Sequence, residues 1–137
     1  MTRRKRDPDA QGAVAGGQPK PQFEIRFTPD AAADVRALDG SIRAQLRKVL
    51  EKKLSADPVG YGLPLRGALT NFWKHQFGNH RIIYRIYPAE KIVAVCAVGV
   101  RKRGDVEDIY RQLEGVAKSG RLAGQLASVL KNLFPNK

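Results

Sequence analysis

The chain has 137 residues and a formal net charge of +12, because 25 Lys and Arg residues outnumber 13 Asp and Glu residues. This length supports one domain with appendages, the single cysteine excludes an intramolecular disulfide, and no apolar run approaches the roughly 20 residues that cross a bilayer. The positive charge favours a nucleic acid or an acidic protein as the partner, and we expect a cytosolic protein that does not bind membranes.

The composition divides the chain into three segments. Residues 1–20 combine a basic tetrad with Gly, Pro and Gln and lack any apolar periodicity, which predicts a disordered basic tail. We expect the folded domain to span residues 21–115, and residues 116–137 to form an amphipathic helical extension without a single acidic residue.

The domain begins with a predicted strand and two predicted helices. Phe23–Phe27 alternates apolar and charged residues, which is typical of a strand with one face on a core. Thr28-Pro29 predicts the start of a helix that runs to about Leu38. Ser41 is the candidate cap of a longer helix, whose apolar positions recur at helical spacing at Ile42, Leu46, Val49, Leu50 and Leu54. Residues 55–64 read as a loop.

Three strands with short turns follow and predict an antiparallel meander over residues 71–77, 80–87 and 92–98. On the second strand Arg81 and Arg85 share one face, because strand side chains alternate, while the other face is formed by Ile82, Tyr84 and Ile86. The third strand is apolar on both faces, which predicts a covered position and a buried structural thiol at Cys96. The basic residues of this region make it the candidate working surface.

Two more helices are predicted, over Asp105–Glu114 and Ser119–Phe134. The second carries an apolar stripe that either docks on its own domain or pairs with another chain; its members are Leu122, Leu126, Val129, Leu130 and Leu133. The order of elements predicts an α+β fold with an N-terminal strand, a helix pair, a three-strand meander and C-terminal helices. We expect the helix pair to cover one sheet face, and the other face to stay open as a platform for RNA.

The order of elements and several short motifs together resemble the RelE/ParE superfamily of bacterial toxins from type II toxin–antitoxin pairs. The similarity spans about residues 23–110, and the matching pieces are Phe27-Thr28-Pro29, Asp34, Leu38, Asp57-Pro58, residues 64–67, Trp73-Lys74, residues 78–86 and residues 98–101. The resemblance implies a RelE-like fold and a cognate antitoxin as partner, and it leaves the oligomeric state open.

The superfamily contains two activities, so the fold alone does not choose between them. RelE-like members are ribosome-dependent mRNA endonucleases that act without metal, by attack of the RNA 2′-hydroxyl, whereas ParE-like members inhibit DNA gyrase. The resemblance assigns catalytic positions to Lys74, Arg81, Arg101 and Tyr110. Lys74 is then a base or an electrostatic partner, and the two arginines stabilise phosphoryl charge. We therefore expect an mRNA endonuclease that inhibits translation, with gyrase inhibition as the alternative.

Further polar residues on the predicted sheet are candidates for binding RNA phosphates, namely Arg66, Gln76, Arg85, Lys102 and Arg103. Gln76 stands where many relatives carry a second base, two residues after Lys74. A ribonuclease-style pair of His75 and His80 is a weaker alternative, since nothing in the sequence guarantees that they face each other. Two His, one Cys and no clustered carboxylates leave no adequate ligand set, so we expect neither a metal nor a cofactor.

Overall fold

The computed structural model describes residues 22–100 and 108–131. Within these ranges the α+β prediction is confirmed, because helices pack on a mixed sheet of five strands. The strands are β1 (Glu24–Phe27), β2 (Leu63–Pro64), β3 (Trp73–Phe77), β4 (His80–Tyr87) and β5 (Ile92–Val100). The helices are α1 (Pro29–Arg36), α2 (Gly40–Val49, continued by a π-helical turn at Leu50–Leu54), α3 (Ile109–Lys118) and α4 (Arg121–Lys131), with a short 3-10 turn at Gly67–Leu69.

The sheet has the strand order β1-β5-β4-β3-β2. The meander β3-β4-β5 is antiparallel as predicted, and β1 pairs in parallel with β5. The two-residue strand β2 lies within the segment that was predicted to be a loop, and it pairs with Trp73 and Lys74 of β3. This strand is short because Pro64 has no N–H to donate, which suits an edge position.

The first sheet face is covered by α1 and α2. Thr28 caps α1 as predicted, since its hydroxyl accepts a hydrogen bond from Ala31 N at 3.1 Å, and Pro29 occupies the first helical position. The prediction for α2 is wrong at its start: Asp39 is the N-cap residue, and the Ser41 hydroxyl donates to Asp39 Oδ2 at 2.9 Å. The apolar stripe of α2 faces the core, where Leu46 and Leu54 are fully buried.

Tyr84 holds the segment between α2 and β2 against the sheet. Its ring is fully buried, and its hydroxyl donates to Pro58 O at 2.7 Å. Burial raises the pKa of this phenol, so it remains a neutral donor. Only glycine fits at position 62, because a Cβ there would collide with Tyr84 Oη. The contact explains why a chain segment without regular structure keeps a defined path.

The second sheet face is not open, contrary to the prediction. Helices α3 and α4 pack on it and bury a second apolar cluster that includes Ile83, Cys96 and Leu113. Cys96 is 1% exposed, as predicted for a structural thiol, and burial raises its pKa to about 12. The face is covered because a strand that is apolar on both sides, such as β5, needs an apolar partner on each side.

Helix α3 begins later and ends later than predicted. Asp108 is its N-cap residue and accepts hydrogen bonds from Tyr110 N at 3.0 Å and Arg111 N at 3.3 Å. The predicted start, Asp105, lies outside the described residues. The helix continues through Gly115 to Lys118, because Leu113 and Val116 extend the apolar face that packs on the core.

Helix α4 docks on its own domain, the first of the two predicted arrangements. Leu122, Leu126 and Val129 are buried against the sheet, while Leu133 and Phe134 lie outside the described ranges. Polar contacts add to this packing on two sides, from Arg121 and Gln125 to Asp30 and from Arg26 Nη1 to Val129 O at 2.7 Å. The tail of residues 1–20 is not described either, so its disorder stays a prediction. No helix in the described parts of the chain is long and apolar enough to span a membrane.

The Asp30 contacts predict a pH-dependent contribution to stability. Arg121 donates to both carboxylate oxygens of Asp30, at 2.6 and 3.1 Å, and Gln125 donates at 2.9 Å. These hydrogen bonds, that from Arg121 foremost, lower the pKa of Asp30. Because the folded-state pKa lies below the unfolded value of about 4, the ionised carboxylate stabilises the fold at neutral pH. This stabilisation is lost as the pH falls through the folded-state pKa.

We therefore expect Asp30→Asn to lower the free energy of unfolding at pH 7 by about 1 kcal/mol or less, since the pair is partly exposed to solvent. The difference in unfolding free energy between the variant and the wild type should shrink as the pH falls below 4. Urea denaturation of both proteins at pH 7 and pH 3 measures this difference. Glu51→Gln, at an exposed carboxylate without an ion pair in the described structure, is the control. A difference that grows in acid would contradict the assignment.

Candidate nucleic-acid interface

Strands β3 and β4 bring most of the described candidate site residues to one sheet face. Gln76 lies directly opposite Arg81, and Lys74 lies opposite Ile83, which packs under α3 and α4. Residues paired across an antiparallel ladder share a face, so these side chains and Arg85 lie on the side of the sheet that carries α3 and α4. The shared face of Arg81 and Arg85 agrees with the alternation in the sequence.

Tyr110 joins this surface from the first turn of α3. The Nζ atom of Lys74 lies 5.9 Å from the centre of the Tyr110 ring, which is within the range of a cation–π contact. The Arg81 Nε atom is buried and has no hydrogen-bond partner within residues 22–100 and 108–131. The side chain of Gln76 is engaged locally, because its Nε2 donates to Gly78 O at 3.1 Å. Lys74, Arg81 and Tyr110 therefore form the centre of the candidate site.

Arg85 lies further along β4, within cation–π distance of two aromatic rings. Its guanidinium carbon is 5.6 Å from the ring centre of Phe72 and 5.4 Å from that of Tyr87. Burial raises the pKa of Tyr87, so its hydroxyl stays protonated. Side chains alternate along β4, so Tyr87 lies on the same face as Arg81. Phe72 is two residues before Lys74, so the same alternation places it on the face of Lys74. The contact of these two rings with Arg85 was not predicted from the sequence, although the alternation of side chains could have indicated it.

The remaining candidate site residues lie at the edge of this surface or outside the described structure. Arg66 is exposed at the start of the 3-10 turn that contacts α3. Arg101, Lys102 and Arg103 fall within residues 101–107, which are not described. Their assignments stay predictions.

The two histidines lie on the opposite face of the sheet. The Nδ1 atom of His75 is 2.8 Å from Tyr61 O, and the ring of His80 stacks on Phe77 with 5.5 Å between ring centres. Both belong to the side that carries α1 and α2, as their pairing with Ile82 and Phe77 requires. The sheet therefore separates both imidazoles from Lys74 and Arg81.

Three cations on the α3 side of the sheet, Lys74, Arg81 and Arg85, lack carboxylate partners among the described residues. In the described parts of the chain, ion pairs join Arg26 to Glu24 and Arg121 to Asp30, whereas Lys74, Arg81 and Arg85 form none. An unneutralised cluster of two guanidinium groups and an ammonium group is suited to phosphate oxygens, which accept charge-assisted hydrogen bonds from both. No group of three potential metal ligands occurs among the described residues.

A separate cleft of about 610 Å³ lies between α1, the end of β5 and the pair α3–α4. Its polar lining includes Asp34, whose Oδ2 accepts a hydrogen bond from Val98 N at 3.0 Å. The carboxylate thus provides a partner for a backbone N–H of β5 at a point beyond the end of β1. Burial raises the pKa of Asp34, partly offset by this hydrogen bond. The contact gives Asp34 a structural role.

Comparison with known proteins identifies the family. Residues 25–105 match the family model for the ParE toxin of the type II toxin–antitoxin system, and this stretch is more than half of the chain. The chain belongs to the RelE/ParE superfamily. This RelE/ParE toxin is 31% identical over 90 residues to Toxin RelG of Mycobacterium tuberculosis, an alignment that covers 66% of this chain and 98% of that relative.

Solved structures agree with this membership. The toxin–antitoxin complex RelBE2 from M. tuberculosis contains a chain that is 30% identical, with a TM-score of 0.56 over 58% of this chain and 99% of that chain. The intact RelBE complex of Escherichia coli contains one that is 25% identical, with a TM-score of 0.51 over 59% of this chain and 99% of that chain. The family match ends at residue 105, so α3 with Tyr110 and the whole of α4 lie beyond it.

Proposed function

We propose that this RelE/ParE toxin is a ribosome-dependent mRNA endonuclease that inhibits translation by cleaving messages in the ribosomal A site. The observation that carries the proposal is the unneutralised cluster of Lys74 and Arg81 beside Tyr110, on the sheet face that carries α3. The similarity to Toxin RelG supports the same reading. A gyrase inhibitor that does not cleave RNA has no need of a cluster of this composition.

The proposed reaction is attack of the 2′-hydroxyl oxygen on the neighbouring phosphorus, which forms a 2′,3′-cyclic phosphate and releases the 5′ oxygen of the next nucleotide. A base removes the 2′ proton, cations stabilise the added negative charge of the phosphoryl group, and an acid protonates the leaving oxygen. Arg81, together with Arg101, stabilises the phosphoryl charge in this scheme. Lys74 and Tyr110 lie close enough together to act on the same nucleotide.

Inhibition of DNA gyrase is the second candidate function. The observation that favours it is the matching family model, which is that of a ParE toxin. Under this alternative the basic surface binds protein or DNA, and Lys74 and Arg81 have no chemical role. The two functions predict different products and can be separated directly.

The test uses the purified full chain. We expect discrete cuts in a mapped message when ribosomes translate it, none in the same message without ribosomes, and unchanged supercoiling of plasmid DNA by gyrase. Inhibited supercoiling together with an intact message would reject the endonuclease and establish the alternative.

A cognate antitoxin is the proposed regulatory partner. The two solved relatives described above are toxin–antitoxin complexes. The described basic surface favours an acidic, amphipathic segment that becomes ordered on binding. Co-expression of the small protein encoded in the adjacent reading frame should relieve growth arrest and yield a complex on size-exclusion chromatography.

A further inference from the structure

The guanidinium group of Arg85 is held in place without being neutralised. Phe72 and Tyr87 lie 5.6 and 5.4 Å from its central carbon. It forms no hydrogen bond or ion pair with any residue in the ranges 22–100 and 108–131, and none of its nitrogen atoms is fully buried there. Its N–H donors therefore have no partner among the described residues and can bind a ligand.

Two other arginines, both in contact with α4 or part of it, are neutralised by a carboxylate, unlike Arg85. Arg26 is paired with Glu24 and donates to Val129 O, and Arg121 is paired with Asp30. Cation–π contacts with two rings restrict the rotamers of a guanidinium group while leaving its N–H edges available. An arginine fixed in this way loses little conformational entropy when it binds an anion.

The position of Arg85 relative to Arg81 determines what kind of ligand can use both. The two residues are four apart on one strand and share a face, so their Cα atoms are roughly 13 Å apart at ~3.3 Å per residue. This distance is longer than the separation of neighbouring phosphates in one strand of RNA. Two arginines that extend from the same sheet face at this spacing match phosphates of different nucleotides in one strand.

We propose that Arg85, in cation–π contact with Phe72 and Tyr87, is an anchoring site for a second RNA phosphate, at a different nucleotide from the one bound by Lys74 and Arg81. The inference rests on the proposed function, in which single-stranded RNA is the substrate. Arg85 takes no part in proton transfer. It increases affinity and sets how the strand runs across the sheet.

The test measures binding of the full chain to a short single-stranded RNA whose 2′-hydroxyls are methylated, so that it cannot be cleaved. Arg85→Gln should weaken binding about 10-fold, as expected for a lost charge-assisted contact, and should reduce the salt dependence by one phosphate, a slope change of about 0.7. Arg85→Lys keeps the charge but loses the planar guanidinium group with its fork of N–H donors, so we expect the wild-type slope with weaker binding.

Arg47→Gln is the matched control, because Arg47 is exposed on α2, on the other side of the sheet, and its removal changes the net charge equally. Two results would overturn the anchoring site. One is an equal loss of RNA affinity in the two glutamine variants. The other is an Arg85→Gln variant with unchanged affinity, slope and melting temperature. Since the RNA is uncleavable, this result is independent of nuclease activity. If Arg85→Gln weakens RNA binding as expected but the wild type cuts no message, the anchoring site stands and the proposed endonuclease function is rejected.

Discussion

Arg81→Ala is expected to lower the rate of message cleavage on ribosomes by about 100- to 1,000-fold, the usual effect of removing one preorganised donor to a developing negative charge. The physical reason is the position of the side chain: its Nε is buried without a partner in the described structure, and it lies opposite Gln76 on the face that carries Lys74. Because Arg81 has no carboxylate partner among the described residues, the positive charge of its guanidinium group is available to a phosphoryl group. Primer extension on a mapped message measures the rate.

Two controls separate catalysis from folding and from total charge. The melting temperature of Arg81→Ala should stay close to that of the wild type, because no hydrogen bond within the described residues is lost. Arg36→Ala removes the same charge from an exposed position on α1 and should cut normally. Cleavage by Arg81→Ala at the wild-type rate would contradict the assignment of Arg81 to the phosphoryl group.

Leu126→Ala should lower the free energy of unfolding by about 2–5 kcal/mol, the range for truncating a buried leucine. Leu126 is 6% exposed and belongs to the cluster that α4 shares with Cys96 and Leu113. Because domains of this size are stable by only about 5–15 kcal/mol, the loss is a large share of the total. Chemical denaturation of the purified chain gives the change.

Leu63→Ala is the matched control, since the same truncation removes a side chain that is 61% exposed on β2. It should change the free energy of unfolding by about 0.5 kcal/mol or less. Equal effects at the two positions would show that α4 is not docked in solution. The result also bears on the site, because α3, which carries Tyr110, packs between α4 and the 3-10 turn at Gly67–Leu69.

Periodicity within single segments accounts for the predictions that succeeded. Alternation along β4 placed Arg81 and Arg85 on one face, the uninterrupted apolar run of β5 predicted the buried Cys96, and Thr28-Pro29 marked the start of α1. The motifs around Lys74 and Arg81 pointed to the RelE/ParE superfamily, to which the chain belongs. These features depend on the backbone geometry of one strand or one helix turn, which neighbouring residues largely determine.

Contacts between distant segments were decided by the tertiary structure alone. They include the parallel pairing of β1 with β5, the covering of the second sheet face by α3 and α4, and the 5.9 Å approach of Lys74 to the Tyr110 ring. The contacts of Arg85 with Phe72 and Tyr87 were also decided by the tertiary structure, although the alternation of side chains indicated that the two rings share its face. A local pattern shows that an apolar face must be buried, but not which segment buries it. That choice depends on how the volumes and shapes of all the elements fit together in one core.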